Sequence, residues 1–231
     1  MYVLLFAALL PTVILLIKVY RMDTVEKEPP RLLWKLILFG ALSGVAAGVA
    51  ELVLGRVLKS FVPSYSMLYE VLENFLVVAL VEELCKFAPV RLFAWDDPAF
   101  NYRFDAVVYA MFSALGFAAL ENVLYVMNGG LGTAVTRALL SVPGHAFFAL
   151  YMGIYLGDAK LAEVRGDAYM RGHFMRLAIL VPVLLHGFWD FSLSVGSSYM
   201  AGAFLIFVVI FFLCAFRRLR RASQTDEPLD T

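Results

Sequence analysis

The sequence predicts an all-α fold: a polytopic transmembrane helix bundle of about seven spans, forming a single domain over 1–231. Three observations predict it. Of 231 residues, 62% are hydrophobic and only 16% are charged, and the mean hydropathy is +0.80. Apolar runs near the ~20 residues needed to cross a bilayer recur along the chain, with too little charge left to surface a soluble domain. The runs are continuous rather than alternating, and lipid offers no partner to an unpaired backbone group, so they read as helices rather than barrel strands.

The first span, about residues 2–20, has no positive charge before it and no small-residue cleavage site after it, so it reads as a retained helix rather than a signal peptide. Later spans fall at about 33–58, 67–91, 104–127, 133–158, 175–194 and 199–217. Their corners carry turn chemistry: Glu28-Pro29-Pro30, Val62-Pro63-Ser64, Asp96-Asp97-Pro98, Asn128-Gly129-Gly130 and Gly196-Ser197-Ser198. Proline cannot continue the helical ladder, and Asn-Gly-Gly admits left-handed backbone. Two polar stretches remain: a loop of about Asp158 to Phe174, and a tail of about 218–231 whose composition predicts disorder.

Charge distribution sets an orientation. Lys18, Arg21, Lys27, Arg31 and Lys35 follow span one; Arg91 and Arg103 follow span three; Lys160, Arg165, Arg171 and Arg176 follow span five; Arg217, Arg218, Arg220 and Arg221 follow span seven. Only Arg56, Lys59 and Arg137 lie near the other face, so the N-terminus is expected outside and the C-terminus in the cytoplasm of a multi-pass cell-membrane protein. Acidic and basic residues balance at 19 each, so nothing draws the chain to nucleic acid and its expected surroundings are the lipid bilayer. Cys85 and Cys214 read as small apolar residues, without metal-binding spacing.

Function is sought where ionisable groups interrupt the apolar runs, because a charge at bilayer depth costs on the order of 3 kcal/mol. In span three, Glu82-Glu83-x-x-Lys86 puts a lysine three and four residues from two carboxylates, on one helix face. One ammonium cannot neutralise both, and a surplus buried carboxylate is a candidate general base. Span four carries Phe117-x-x-x-Glu121-Asn122 among Ala114, Gly116, Ala118 and Ala119, small residues that let a neighbouring helix approach. Glu121 could be a proton relay, an interhelical hydrogen-bonding group or a metal ligand; spacing does not choose. Span six carries His186-x-x-x-Asp190, a carboxylate one turn from an imidazole, which can fix its tautomer. His145, after Pro143-Gly144, is either part of the same site or a structural hydrogen bond. Glu51, Glu70 and Glu73 lie toward span ends and read as solvated or structural.

Glu-Glu-x-x-Lys, Phe-x-x-x-Glu and His-x-x-x-Asp, in that order on separate spans, resemble the PrsW family of intramembrane proteases, relatives of the CAAX prenyl endopeptidases. The phrases Asp105-Ala-Val-Val-Tyr, Gly116-Phe-Ala-Ala-Leu-Glu-Asn, Pro143-Gly-His-Ala and Leu185-His-Gly-Phe-Trp-Asp carry the likeness over roughly 82–190, within a catalytic core of about 67–194. The resemblance implies peptide-bond hydrolysis in a membrane-anchored substrate, with anti-sigma factors as substrate class and site-1 type cleavage. It implies that Glu82 activates water with Glu83 in support, that Glu121 stands where the relatives have histidine, and that His186 and Asp190 stand where a pair holds the developing oxyanion. An ionised Asp190 cannot donate to an oxyanion, so it is read as orienting His186. Lys86, Phe117, Asn122, His145 and Asp190 are then supporting residues. Replacing histidine by Glu121 makes the pocket acid-rich, and Glu83, Glu121, His145 and His186 become candidate Zn²⁺ ligands beside a metal-free alternative. A proton- or cation-coupled transporter and a non-catalytic scaffold are the other functional classes. The span boundaries put Glu82 on the cytoplasmic side of its helix middle and Glu121 on the outer side, so the two are not expected to share a water directly.

Overall fold

A computed structural model describes residues 1–229. It is all-helical, with no β-strand among the described residues. In chain order the elements are α1 (Tyr2–Met22), α2 (Pro30–Phe61), α3 (Met67–Leu72), a π-helical segment (Glu73–Ala79), α4 (Leu80–Phe93), α5 (Asp105–Thr136), a second π-helical segment (Arg137–Ser141), α6 (Val142–Val164), α7 (Ala168–Ser194) and α8 (Ser198–Gln224). α3, the first π segment and α4 run on as one rod. The expected corners appear where proline or glycine demanded them: Gly130 and Gly196 adopt φ of 75° and 65°, and Gly130 turns the long α5 helix back so that α5 and α6 lie antiparallel.

Five helices are long and apolar enough to cross a membrane, and the chain is a multi-pass membrane protein. The α5–α6 hairpin forms the centre, 72% buried in its most apolar window, whereas α1, α2 and α8 are 17–22% buried and form the rim. Rim residues such as Phe6, Trp34, Leu42, Val49, Leu205 and Val209 are more than half exposed. In water such a surface would drive association; in a bilayer it meets lipid. With no hydrophobic drive between helices in lipid, close approach supplies the packing energy. α2 crosses α5 at Gly40 and Gly116, where an added Cβ would stand 2.1 Å from the Ser113 carbonyl oxygen and 2.2 Å from that of Ile37.

Two sequence expectations are corrected. The stretch read as a loop of Asp158 to Phe174 is almost entirely helix, with only 165–167 between α6 and α7; the polar residues continue both helices, and the Asp167 side chain caps α7 by accepting from the Met170 amide. The tail read as disordered from about 218 is ordered as far as it is described. α8 continues to Gln224, Tyr102 bridges Pro228, the Asp226 side chain accepts from the Phe104 amide at 2.9 Å and Leu229 is 3% exposed in the core. The tail's own carboxylates and Leu229 give it partners that composition does not reveal. Residues 230–231 lie outside the described residues.

Candidate active site

Four helices bring the polar motifs to one place. The two π-helical segments each sit within four residues of a motif: Glu73–Ala79 before Glu82, and Arg137–Ser141 before His145. Each adds a residue to a turn, marked by the i→i−5 bonds of Leu80 to Phe75 and Val142 to Arg137, and so re-aims the face that follows. α7 reaches the first π segment because Gly187 has no side chain; a Cβ there would stand 2.4 Å from Phe75. That approach carries the adjacent His186 onto Glu83.

Lys86 is the hub, fully buried. Its ammonium donates to Glu82 Oε2 at 2.9 Å and Glu83 Oε1 at 2.8 Å, and faces His145 Nδ1 at 3.0 Å. All three donors are thereby used. Because an ammonium only donates, Nδ1 of His145 is an acceptor, and the neutral ring carries its proton on Nε2. That nitrogen lies 2.8 Å from Glu121 Oε2. The Phe117 ring covers the ammonium, 4.7 Å from its centroid.

The carboxylate that Lys86 shares is met from α7. His186 Nδ1 lies 2.9 Å from Glu83 Oε1 and its Nε2 3.1 Å from Asp190 Oδ2. A ring facing carboxylates at both nitrogens donates to both only as imidazolium. Phe148 stacks on it with centroids 5.0 Å apart. Glu83 is wholly buried, while Glu82 keeps 9% of its side chain exposed.

That exposure opens onto a cavity of about 600 Å³, lined by Glu82, Glu121, His145, His186 and Asp190 and by residues of α2 and the α5–α6 hairpin. Glu82 Oε2 stands 4.0 Å from His145 Nδ1 and 3.9 Å from His186 Nε2, so both imidazoles border the carboxylate that reaches the cavity. The depth offset between Glu82 and Glu121 is thus bridged by the imidazole of His145, which has Glu121 at one nitrogen and Lys86 and Glu82 at the other. Asn122 faces away from the cavity, donating to the Ala8 carbonyl of α1 at 2.6 Å and accepting from Arg137 Nε at 2.7 Å.

The proposed zinc ligands do not form a set. Among the described residues no three His, Cys, Asp or Glu side chains are placed to hold a metal ion. Each imidazole nitrogen already faces a partner, and the point where carboxylates and imidazole converge is taken by Lys86 Nζ. In this arrangement the donors do not fit a zinc ion.

Two cavity residues escaped the sequence reading. Glu51 lines the cavity from α2 with Gly44, Ala47 and Gly48, and that one-sided stripe of small residues ending in a carboxylate was its signal. Arg137 lines it too, 12% exposed and 3.0 Å from Glu121; its signal was an arginine inside the fifth apolar run.

Comparison with known proteins extends the likeness beyond the motif region. A family model described as PrsW family intramembrane metalloprotease matches residues 28–216. A protein named Protease PrsW from Geobacillus kaustophilus (strain HTA426) is 34% identical over 230 residues, covering 99% of this chain and 96% of the relative. Its namesake in Halalkalibacterium halodurans (strain ATCC BAA-125 / DSM 18197 / FERM 7344 / JCM 9153 / C-125) is 30% identical over 98% of this chain and 100% of the relative. That of Bacillus subtilis (strain 168) is 29% identical over 98% of both. No solved structure matches.

Proposed function

The chain belongs to the PrsW family and is an intramembrane protease, and on that premise we propose that Glu82 drives metal-free hydrolysis of a peptide bond in a membrane-anchored substrate such as an anti-sigma factor. The observation that carries this reading is the asymmetry within the acidic pair: Glu82 reaches the cavity, and Glu83 is sealed behind it against His186.

Glu82 takes a proton from water, and the resulting hydroxide adds to the scissile carbonyl. The oxyanion is held by the Nε2–H of His186, which turns from Asp190 Oδ2, 3.1 Å away, to the oxyanion as it forms, while Glu83 fixes the ring at Nδ1. Such a preorganised donor contributes roughly 10²–10³ in rate. As the intermediate collapses, Glu82 passes the proton to the departing amine and returns to carboxylate. Lys86 holds Glu82 in place through a 2.9 Å contact without touching substrate, since it is wholly buried.

Seven crossings with the N-terminus outside would put the cavity in the outer half of the bundle. Its lining runs from Glu82 and Phe117 toward Tyr125, Arg137 and Leu193, near the ends of the helices remote from the arginine-rich termini. In that orientation the half on the cytoplasmic side, where α5 packs on α6, would be the densely packed one. A cavity open on the outer side favours cleavage at the extracytoplasmic end of a substrate's anchor, the site-1 position, over a conduit for ions.

The test is co-expression with a panel of single-span fusion proteins, anti-sigma factors included. Wild type is expected to release the extracytoplasmic part of at least one. Glu82→Ala and His186→Ala are expected to abolish release while remaining in the membrane; undiminished release in both would overturn the assignment.

A further inference from the structure

Arg137 is a largely enclosed cation, 12% exposed, with a fixed address. Three residues of one turn of α5 hold it: Asn122 Oδ1 accepts from its Nε at 2.7 Å, the Tyr125 ring lies 4.3 Å from its guanidinium carbon, and Glu121 Oε2 stands 3.0 Å from its Nη2. Asn122 is itself tethered to α1 through the Ala8 carbonyl. The π-helical segment that Arg137 opens accounts for its aim. Eight residues of α-helix would turn His145 about 80° away from Arg137, but a π turn absorbs one residue and returns the two to one face.

The same Glu121 oxygen that meets Arg137 lies 2.8 Å from His145 Nε2. Glu121 Oε2 and Arg137 Nη2 are both buried and neither makes an aligned hydrogen bond, so charge rather than direction holds the carboxylate here. Without a cation behind it, Glu121, with a fifth of its side chain exposed to the cavity, would turn toward water. His145 would then lose its partner at Nε2, and its Nδ1 would no longer be held on Lys86, the group that places Glu82.

We infer that Arg137 is a positioning residue that pins Glu121 against His145 and so, through His145 and Lys86, fixes the water-activating carboxylate of Glu82. This rests on the assignment of Glu82 above, and its test separates the two. Arg137→Gln, Glu121→Gln and the double variant form a cycle in the full chain, because residues acting through one another are non-additive. In liposomes with the cleaved fusion protein, Arg137→Gln is expected to lower kcat about 30-fold with KM within about twofold, as displacement of a catalytic group does. Arg137→Lys, which keeps the charge, should recover most of that loss. In the Glu121→Gln background, Arg137→Gln should add less than about twofold.

A second readout needs no substrate. NMR of chain labelled at histidine ring nitrogens should show a protected Nε2–H for His145, assigned by its absence in His145→Gln, retained in Arg137→Lys and lost to solvent exchange in Arg137→Gln. Multiplicative losses in the cycle, a raised KM with unchanged kcat, or an Nε2–H signal indifferent to Arg137 would each overturn the inference. If wild type cleaves no fusion protein, the function fails while the NMR comparison still decides the role of Arg137.

Discussion

Lys86 decides how two adjacent carboxylates, Glu82 and Glu83, can be buried together. Its ammonium satisfies Glu82 and Glu83 on its own helix and Nδ1 of His145 across the bundle, and removing one partner of a buried charge pair costs about 3–5 kcal/mol because the other is stranded. Lys86→Met is therefore expected to lower the thermal midpoint in detergent sharply, and adding Glu83→Gln should restore part of it; a midpoint like wild type in Lys86→Met would show the carboxylates to be neutral or solvated. The same hub predicts the response to metal removal. Chelation by 1,10-phenanthroline should leave the cleavage rate within about twofold, since no zinc-binding set of three or four ligands is formed among the described residues; loss reversed by added zinc would contradict it. The sequence made much of this readable, because Glu82, Glu83 and Lys86 are linked by helical spacing alone. It left one carboxylate unmatched, and His186, 103 residues away in sequence, is the partner that only the fold supplies. Glu51 and Arg137 were set aside because a charge near a span end looks solvated when the cavity beside it is not visible.

At the level of elements, hydropathy located the helices and proline and glycine located the corners, since both signals are local. It could not locate π-helical segments, which insert a residue without changing polarity, nor the polar ends to which α6, α7 and α8 continue. One consequence is testable at Gly187, where α7 closes on the first π segment. Gly187→Ala forces about a 1 Å adjustment between α7 and Phe75, a shift that can cost on the order of 10²-fold in rate, and a cleavage assay on protein of unchanged membrane content reads it. Another concerns the α1–α2 connection. Glu28, 2% exposed, accepts from the Tyr109 hydroxyl, and burial, reinforced by Asp105 and Asp23, pushes its carboxyl up to about 9. The folded state thus favours protonated Glu28. Its stabilising contribution is complete below the unfolded value and is lost as pH rises through the folded one. The thermal midpoint should fall as pH rises from about 5 to about 9, and Glu28→Gln, neutral throughout, should flatten that fall; an identical slope in the variant would place the titration elsewhere.

The whole molecule is a packed half joined to a hollow half. Between Asp105 and Ala118, and between Gly144 and Gly153, nearly every residue is buried, while the cavity occupies the region toward Gly130 and ends at Glu82. Rigid packing below can hold the carboxylate and imidazoles in register while substrate and water enter from above. Sequence order alone placed the motifs on separate spans; which side they open to depends on the tilt and close approach of α2, α5 and α7, set by Gly40, Gly116 and Gly187 rather than by polarity. The most direct measurement of the central claim is single-turnover cleavage of a reconstituted single-span substrate by wild type and Glu82→Gln. Gln preserves size and removes only the base, so the cleavage rate constant should drop about 10²–10⁴-fold with substrate binding unchanged. A Glu82→Gln rate within about twofold of wild type would mean that another group activates the water.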